Sequence, residues 1–425
     1  MIFLPPCSAR SPFNQPAARL RRLALTTLAA LMAAAAAAQD STLTRLVRQN
    51  QLPLVAAGAQ FSGAGWDKLR QDVQKSQFVL VGEDHGLAQI PSFTAALARE
   101  LKPAVFVAEI DKYQAQDLSR LAAQPGLPVA FSRQHIMALS FYSWAEEFEL
   151  ARGLRAQNVA LMGIDQVSCF SPGRFYARLA EQTKNQTTRT YLRRRGAAYQ
   201  AHDRAMMSRD PGQMTIMQQP PAALDSLVAL ARPESPAVRQ MVQDYVVSAR
   251  IYQLAGQPKK GLQSHQARIS LMKRNLLQGL QARQQPGQPL PKILFKLGAF
   301  HVSRGRSLTA GVYDVGNLAL NLADIQDQQS LHIYIFGKQG TKAEGFNPDD
   351  FSKNVATYTN ADEAALKPFM AQTSAGPTWQ AFDLRPLRRA LLGGKLKVSE
   401  PDLEIVILGY DYVVVIPETT ASHNY

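Results

Sequence analysis

Four short apolar runs, each ending in an ionisable residue, constrain this chain more than any other feature. Phe78-Val79-Leu80-Val81 leads into Gly82-Glu83-Asp84-His85-Gly86. Ala104 to Ala108 ends in Glu109, and Val159 to Ile164 ends in Asp165. Lys292 to Leu297 runs into Gly298-Ala299-Phe300-His301. A short β-branched or leucine-rich run that stops at a turn reads as a strand buried on both faces, the kind found in parallel sheets. Open α/β sheets place their sites at the carboxyl ends of such strands. Core packing explains one such residue easily, but not four ionisable groups at the same end of four strands.

The segments between the runs have helical spacing. Gln89 to Lys102 places Ile90, Phe93, Leu97 and Leu101 on one face, and Trp66 to Gln74, Lys112 to Ala123 and Trp144 to Gln157 continue the pattern. Strands alternating with such helices imply right-handed crossovers. The fold class expected is therefore α/β, a mainly parallel central sheet flanked by helices. Residues 186–285 differ, for nothing there reads as a strand. Val238 to Leu254 and Leu262 to Arg283 are long amphipathic segments, and prolines punctuate the region. The expected organisation is a first α/β part over 40–185, an all-helical insertion over 186–285 and a second α/β part over 286–425. The insertion would overhang the strand ends. Ser330 to Gly337 and Leu403 to Pro417 read as further strands.

Residues 1–39 read as a secretory signal. Arg19, Arg21 and Arg22 precede the small, apolar stretch Leu23 to Ala38, and Ala36-Ala37-Ala38 offers a cleavage site. That stretch is short of the roughly 20 residues that span a bilayer. The expectation is a periplasmic or secreted protein with no stable membrane insertion after cleavage. Four arginines and no acid leave with the signal, so the remainder carries +10 of the total +14. Basicity suits anionic partners, but no nucleic-acid motif accompanies it, so no nucleic acid is expected. Of the two cysteines, Cys7 leaves with the signal, and Cys169 cannot form an internal disulfide alone.

The chemistry follows from residue type. A carboxylate two residues from an imidazole can orient it and raise its basicity. His85 could then take a proton from water, with His301 stabilising an oxyanion. Glu109 would bias both imidazoles. The same histidines and carboxylates could instead hold a metal ion. No Gly-x-Ser-x-Gly elbow, Gly-x-Gly-x-x-Gly or phosphate loop is present, which removes the usual serine-hydrolase and nucleotide readings.

Taken in order, these pieces resemble the erythromycin esterase-like superfamily, which includes ChaN-type haem-binding lipoproteins and TIKI/TraB-type proteins. Val81 to Gly86 is similar to its first strand-end motif, and Phe106-Val107-Ala108-Glu109 to its second. Met162 to Asp165 is similar to its third strand. Arg268 to Asn275 resembles its helical Arg-x-x-x-Met-x-x-Asn element, and Lys296 to Val302 its late strand ending in a histidine. The resemblance implies a cleft lined by Glu83, His85, Glu109 and His301, with His85 as the leading base. It also implies a substrate-binding role for Arg268, Asp165 and Asn275. The reaction expected is hydrolysis of an ester or related carbonyl compound, a small molecule, with no cofactor required. The alternatives are a haem- or metal-binding protein without turnover, and a metal-dependent peptidase using a divalent ion.

Overall fold

The computed structural model describes residues 41–284, 287–309 and 311–425; the expected signal, including Cys7, lies outside them. The apolar runs form strands. We number the strands in chain order: β1 Gln51–Ala57, β2 Gln60–Ser62, β3 Phe78–Glu83, β4 Val105–Asp111, β5 Ala160–Asp165, β6 Ile293–Gly298, β7 Ser330–Ala343, β8 Val355–Thr359, β9 Thr378–Asp383 and β10 Tyr412–Thr419. They form one sheet in the order β2-β1-β9-β10-β7-β3-β6-β4-β5, with β8 paired to β7. The six strands from β10 to β5 run parallel. At one edge β9, β1 and β2 pair antiparallel, and β8 pairs antiparallel with β7. The fold is thus α/β with a mainly parallel sheet.

Every residue of β3 and β4 is buried. Their alternating side chains feed two cores. Val79, Val81, Phe106 and Ala108 pack one face with Phe93 and Leu97 of the helix Gln89–Leu101 and Phe148 of Ala145–Ala156. Phe78, Leu80, Val105 and Val107 pack the other with Met272 and Leu276 of the helix Gly261–Gln281. Two-sided burial is what makes these strands continuous apolar runs rather than alternating ones.

Residues 186–281 contain only helices and their connections. Most of them pack around a third core, where Leu192, Ile216, Leu227 and Tyr245 join Phe175, Tyr176 and Tyr113. The helix Gly261–Gln281 packs on Pro236–Ala255 of that group and also lies against β5 and the main sheet.

One expectation fails. Leu403 to Gly409 is not a strand but most of the helix Pro401–Gly409, with Pro401 in its first turn and Glu400 as N-cap. Its run is apolar apart from Glu404, with Leu403, Val406 and Ile407 packed in the same core as Leu384 and Leu387, and periodicity cannot separate such a helix from a buried strand. The strand begins only at Tyr412. The antiparallel edge of β1, β2 and β9 was also not anticipated: β1 is half-buried and contains Pro53, so it lacks the apolar run that marks β3 to β6.

Candidate active site

Chain order and sheet order differ where it matters. β6 arrives late in sequence but inserts between β3 and β4. Its register places Gly298 opposite Glu83. The end of β6 therefore runs between Glu83 and His85 on one side and Glu109 on the other, and delivers His301 to the same cleft.

Glu109 is the hub. Its Oε1 accepts from Arg268 at 2.8 Å and its Oε2 from the backbone N–H of Gly298 at 2.6 Å. His301 Nε2 lies 3.4 Å from Oε1, and His85 Nε2 lies 3.6 Å from Oε2. The two imidazoles thus face one carboxylate. Each is held from behind by a second acid. His85 Nδ1 donates to Glu83 at 2.9 Å, and His301 Nδ1 donates to Asp314 at 2.9 Å. Phe141 stacks on His85, with ring centres 4.0 Å apart and planes 13° from parallel.

A second layer lies beneath. Lys296, buried inside the sheet on β6, donates to Glu83 at 2.5 Å and to Glu147 at 2.6 Å. Arg268 donates through Nε to Asp165 at 2.9 Å as well as to Glu109. Five acids (Glu83, Glu109, Glu147, Asp165 and Asp314) are paired with four bases (His85, His301, Arg268 and Lys296).

This pairing sets the protonation states. Burial disfavours the imidazolium of His85, but hydrogen bonds to Glu109 and Glu83 outweigh it and push the group up to about 10. For His301 burial again opposes the charge, and Glu109 and Asp314 prevail, pushing it up to about 9. Burial would raise Glu109, yet the His301 and His85 cations hold it well below the usual carboxylate range. Glu147 goes the other way: burial pushes it up to about 7 despite Lys296, and the Glu83 charge adds to the rise.

The cleft above has a volume of about 570 Å³, within the range of small-molecule sites. His85 keeps 29% of its side chain exposed, whereas Glu83, Glu109 and His301 keep 7% or less. His85 is therefore the imidazole presented to a ligand. One wall comes from Lys342 to Phe346 at the end of β7, with Tyr358 and Asn360. Gly86 allows this wall to approach: its φ is +86°, and a Cβ there would sit 2.3 Å from the Ala343 carbonyl oxygen.

Of the residues singled out in sequence, Glu83, His85, Glu109, His301 and Arg268 line this cleft, and Asp165 lines an adjoining cavity with Arg268. Asn275 is different. Its amide donates to the backbone carbonyl of Ile164 at 2.8 Å, and it lines neither space. It fastens the helix Gly261–Gln281 to the end of β5. The helix brings Arg268 to the cleft, but much of the opposing wall is the β7–β8 hairpin rather than the 186–285 region.

Sequence reading missed Lys296, Glu147, Asp314 and Phe141. Lys296 left a signal: a lysine in the middle of an apolar strand needs a buried partner. Asp314 left only an N-cap signature before the helix Val315–Asp324. His332 is fully buried away from this cleft, and burial pushes it down to about 4. Among the described residues no group of three or more His, Cys, Asp or Glu is disposed to hold a metal ion, and none of the helices is long and apolar enough to cross a membrane.

Comparison with solved structures places this architecture. Erythromycin esterase EreC, solved as a histidine-to-asparagine variant in an open conformation, aligns over 84% of this chain and 94% of its own, with a TM-score of 0.50 at 13% identity. The chain has the erythromycin esterase fold. A Bacillus cereus protein aligns over 91% of this chain and 99% of its own, with a TM-score of 0.54 at 15% identity. A succinoglycan biosynthesis protein matches with the same TM-score at 12% identity, over 91% and 98% of the two chains. No family model and no curated protein matches by sequence. The esterase fold is therefore shared across proteins with different names, and chemistry has to be argued from the cleft itself.

Proposed function

We propose that this protein is an exported hydrolase that cleaves an ester or related carbonyl bond in a small molecule, without a cofactor. The observation that carries the reading is the shared carboxylate: His85 and His301 converge on Glu109, and His85 is the more exposed of the two imidazoles that line the cleft. Two imidazoles with separate backing acids can divide the work of hydrolysis. His85, in its neutral form, takes a proton from water as the water oxygen adds to the carbonyl carbon. The His301 imidazolium and Arg268 stabilise the oxyanion that forms. When the C–O bond breaks, the alcohol leaves with the proton returned by His85, and the acid product remains. Glu83 and Glu109 fix the ring and its tautomer. Export rests on residues 1–39, whose sequence pattern is that of a secretory signal.

Incubating the mature chain with a panel of esters and lactones tests this reading. Hydrolysis that survives a chelator and is lost in His85→Ala supports it. Loss on chelation with recovery on adding a divalent ion would replace it with a metal-dependent site.

A further inference from the structure

Beside the cleft lies a second cavity of about 280 Å³. The two spaces share Glu109, Phe141, Trp144, Arg268 and Phe346. The rest of the side cavity is walled by Ile110, Met137, Cys169, Phe170 and Tyr252, together with the uncharged polar side chains Gln114, Ser140, Gln166 and Ser168. Its charged members are Glu109, Asp165 and Arg268, and Arg268 donates to both carboxylates. None is left over for a charged ligand. Burial keeps the Cys169 thiol protonated, pushed up to about 11, and keeps the Tyr252 hydroxyl neutral. The walls are therefore mainly aromatic, sulfur-bearing and aliphatic, with four uncharged polar side chains among them and with their charges internally matched.

Phe141 joins the two spaces. One part of it stacks on the His85 ring, and the side chain also borders the side cavity. A carbonyl group set against His85 thus has one substituent directed past Phe141, Trp144 and Phe346. We propose that the side cavity receives an uncharged apolar arm of the substrate, about the size of a bicyclic aryl group. Size supports this: roughly 150 Å³ of apolar cavity holds one benzene ring, and this cavity is nearly twice that. Charge supports it too, because a carboxylate or ammonium would enter without a partner. The word substrate rests on the hydrolase reading, but the cavity's preference does not.

The test separates the two. Binding of N-(2-naphthyl)acetamide, which resists hydrolysis, is compared with acetamide by titration calorimetry on the mature protein. Burial of the naphthyl group predicts binding roughly 100-fold tighter than acetamide. Cys169→Phe, which occupies the cavity, should weaken naphthyl binding roughly 10-fold or more. Phe346→Ala opens the cavity further and should improve binding of a bulkier biphenyl analogue relative to naphthyl, a gain that misfolding cannot imitate. Equal affinity for both acetamides overturns the proposal, as does naphthyl binding that neither variant alters. If naphthyl binding behaves as expected but 2-naphthyl acetate is not hydrolysed, the apolar arm site stands and the hydrolase reading falls. If 2-naphthyl acetate and ethyl acetate are both turned over with equal kcat/KM, the reverse holds.

Discussion

Lys296 and Glu83 form an ion pair inside the sheet, with Nζ 2.5 Å from Oε1 and both side chains 3% exposed. The pair exists because β6 lies beside β3 in parallel register, with Lys296 opposite Val81 and two residues short of Gly298. Glu147 reaches the same ammonium from the helix Ala145–Ala156. The chain His85–Glu83–Lys296–Glu147 thus ties the exposed imidazole to the core.

Lys296→Met should therefore be costly. It leaves Glu83 and Glu147 buried without their cation, and breaking a buried pair on one side costs about 3–5 kcal/mol. Lys296→Met combined with Glu147→Leu should recover part of that loss, since one stranded carboxylate is removed. Urea denaturation of the two variants checks this. A single variant as stable as the parent would show that the pair is not buried as described.

Gly298→Ala probes the site without removing a charge. A Cβ there would stand 3.0 Å from His85 Nε2 and 3.3 Å from Glu109 Oε2. The exposed imidazole can yield, so the fold should survive while the His85–Glu109 geometry opens. Displacement of this kind, up to an ångström, lowers turnover by up to roughly 100-fold. Activity should fall more than the melting temperature, and equal activity would show that the His85–Glu109 spacing is not critical.

The parallel frame was legible because β3, β4 and β6 are buried on both faces, and β3 to β6 carry no polar residue except where they end, Lys296 apart. That exception held the most unread information. The positions of His85, Glu109 and His301 could be read as strand ends, but their adjacency depended on β6 entering between β3 and β4, which chain order does not reveal. Asp314 and Phe141 could not be picked out, because each joins the site through a loop whose path follows from tertiary packing. The anchoring bond of Asn275 was hidden for a related reason: its spacing from Arg268 puts both on one helix face, but only the fold shows that Asn275 meets the Ile164 carbonyl.

Stability should depend on pH through the two histidines. Both are raised above the unfolded value of about 6.5. A group with a raised folded pKa binds its proton more tightly in the native state, so its contribution is complete below about 6.5. It is lost as pH rises through about 9 for His301 and about 10 for His85. The thermal midpoint should fall between pH 7 and 10, and His301→Asn should flatten that decline. An unchanged slope in the variant would count against an imidazolium at this position.

The charge state of His85 also determines how the proposed reaction responds to pH. A general base must be neutral, and an imidazole raised to about 10 is mostly protonated at neutral pH. The working fraction at pH 7 is then about one in a thousand, growing tenfold per pH unit. kcat/KM for an ester substrate should accordingly rise with pH until His85 has titrated, while loss of the His301 proton near 9 should bend the profile downward. His85→Ala should lower turnover roughly 10²- to 10⁴-fold. Glu83→Gln should cost less, and it removes one of the two carboxylates that hold the proton on His85. Its pH profile should therefore shift to lower pH, an effect that simple loss of structure does not produce. A rate that is flat from pH 6 to 9, or full activity in folded His85→Ala, would rule out His85 as the base.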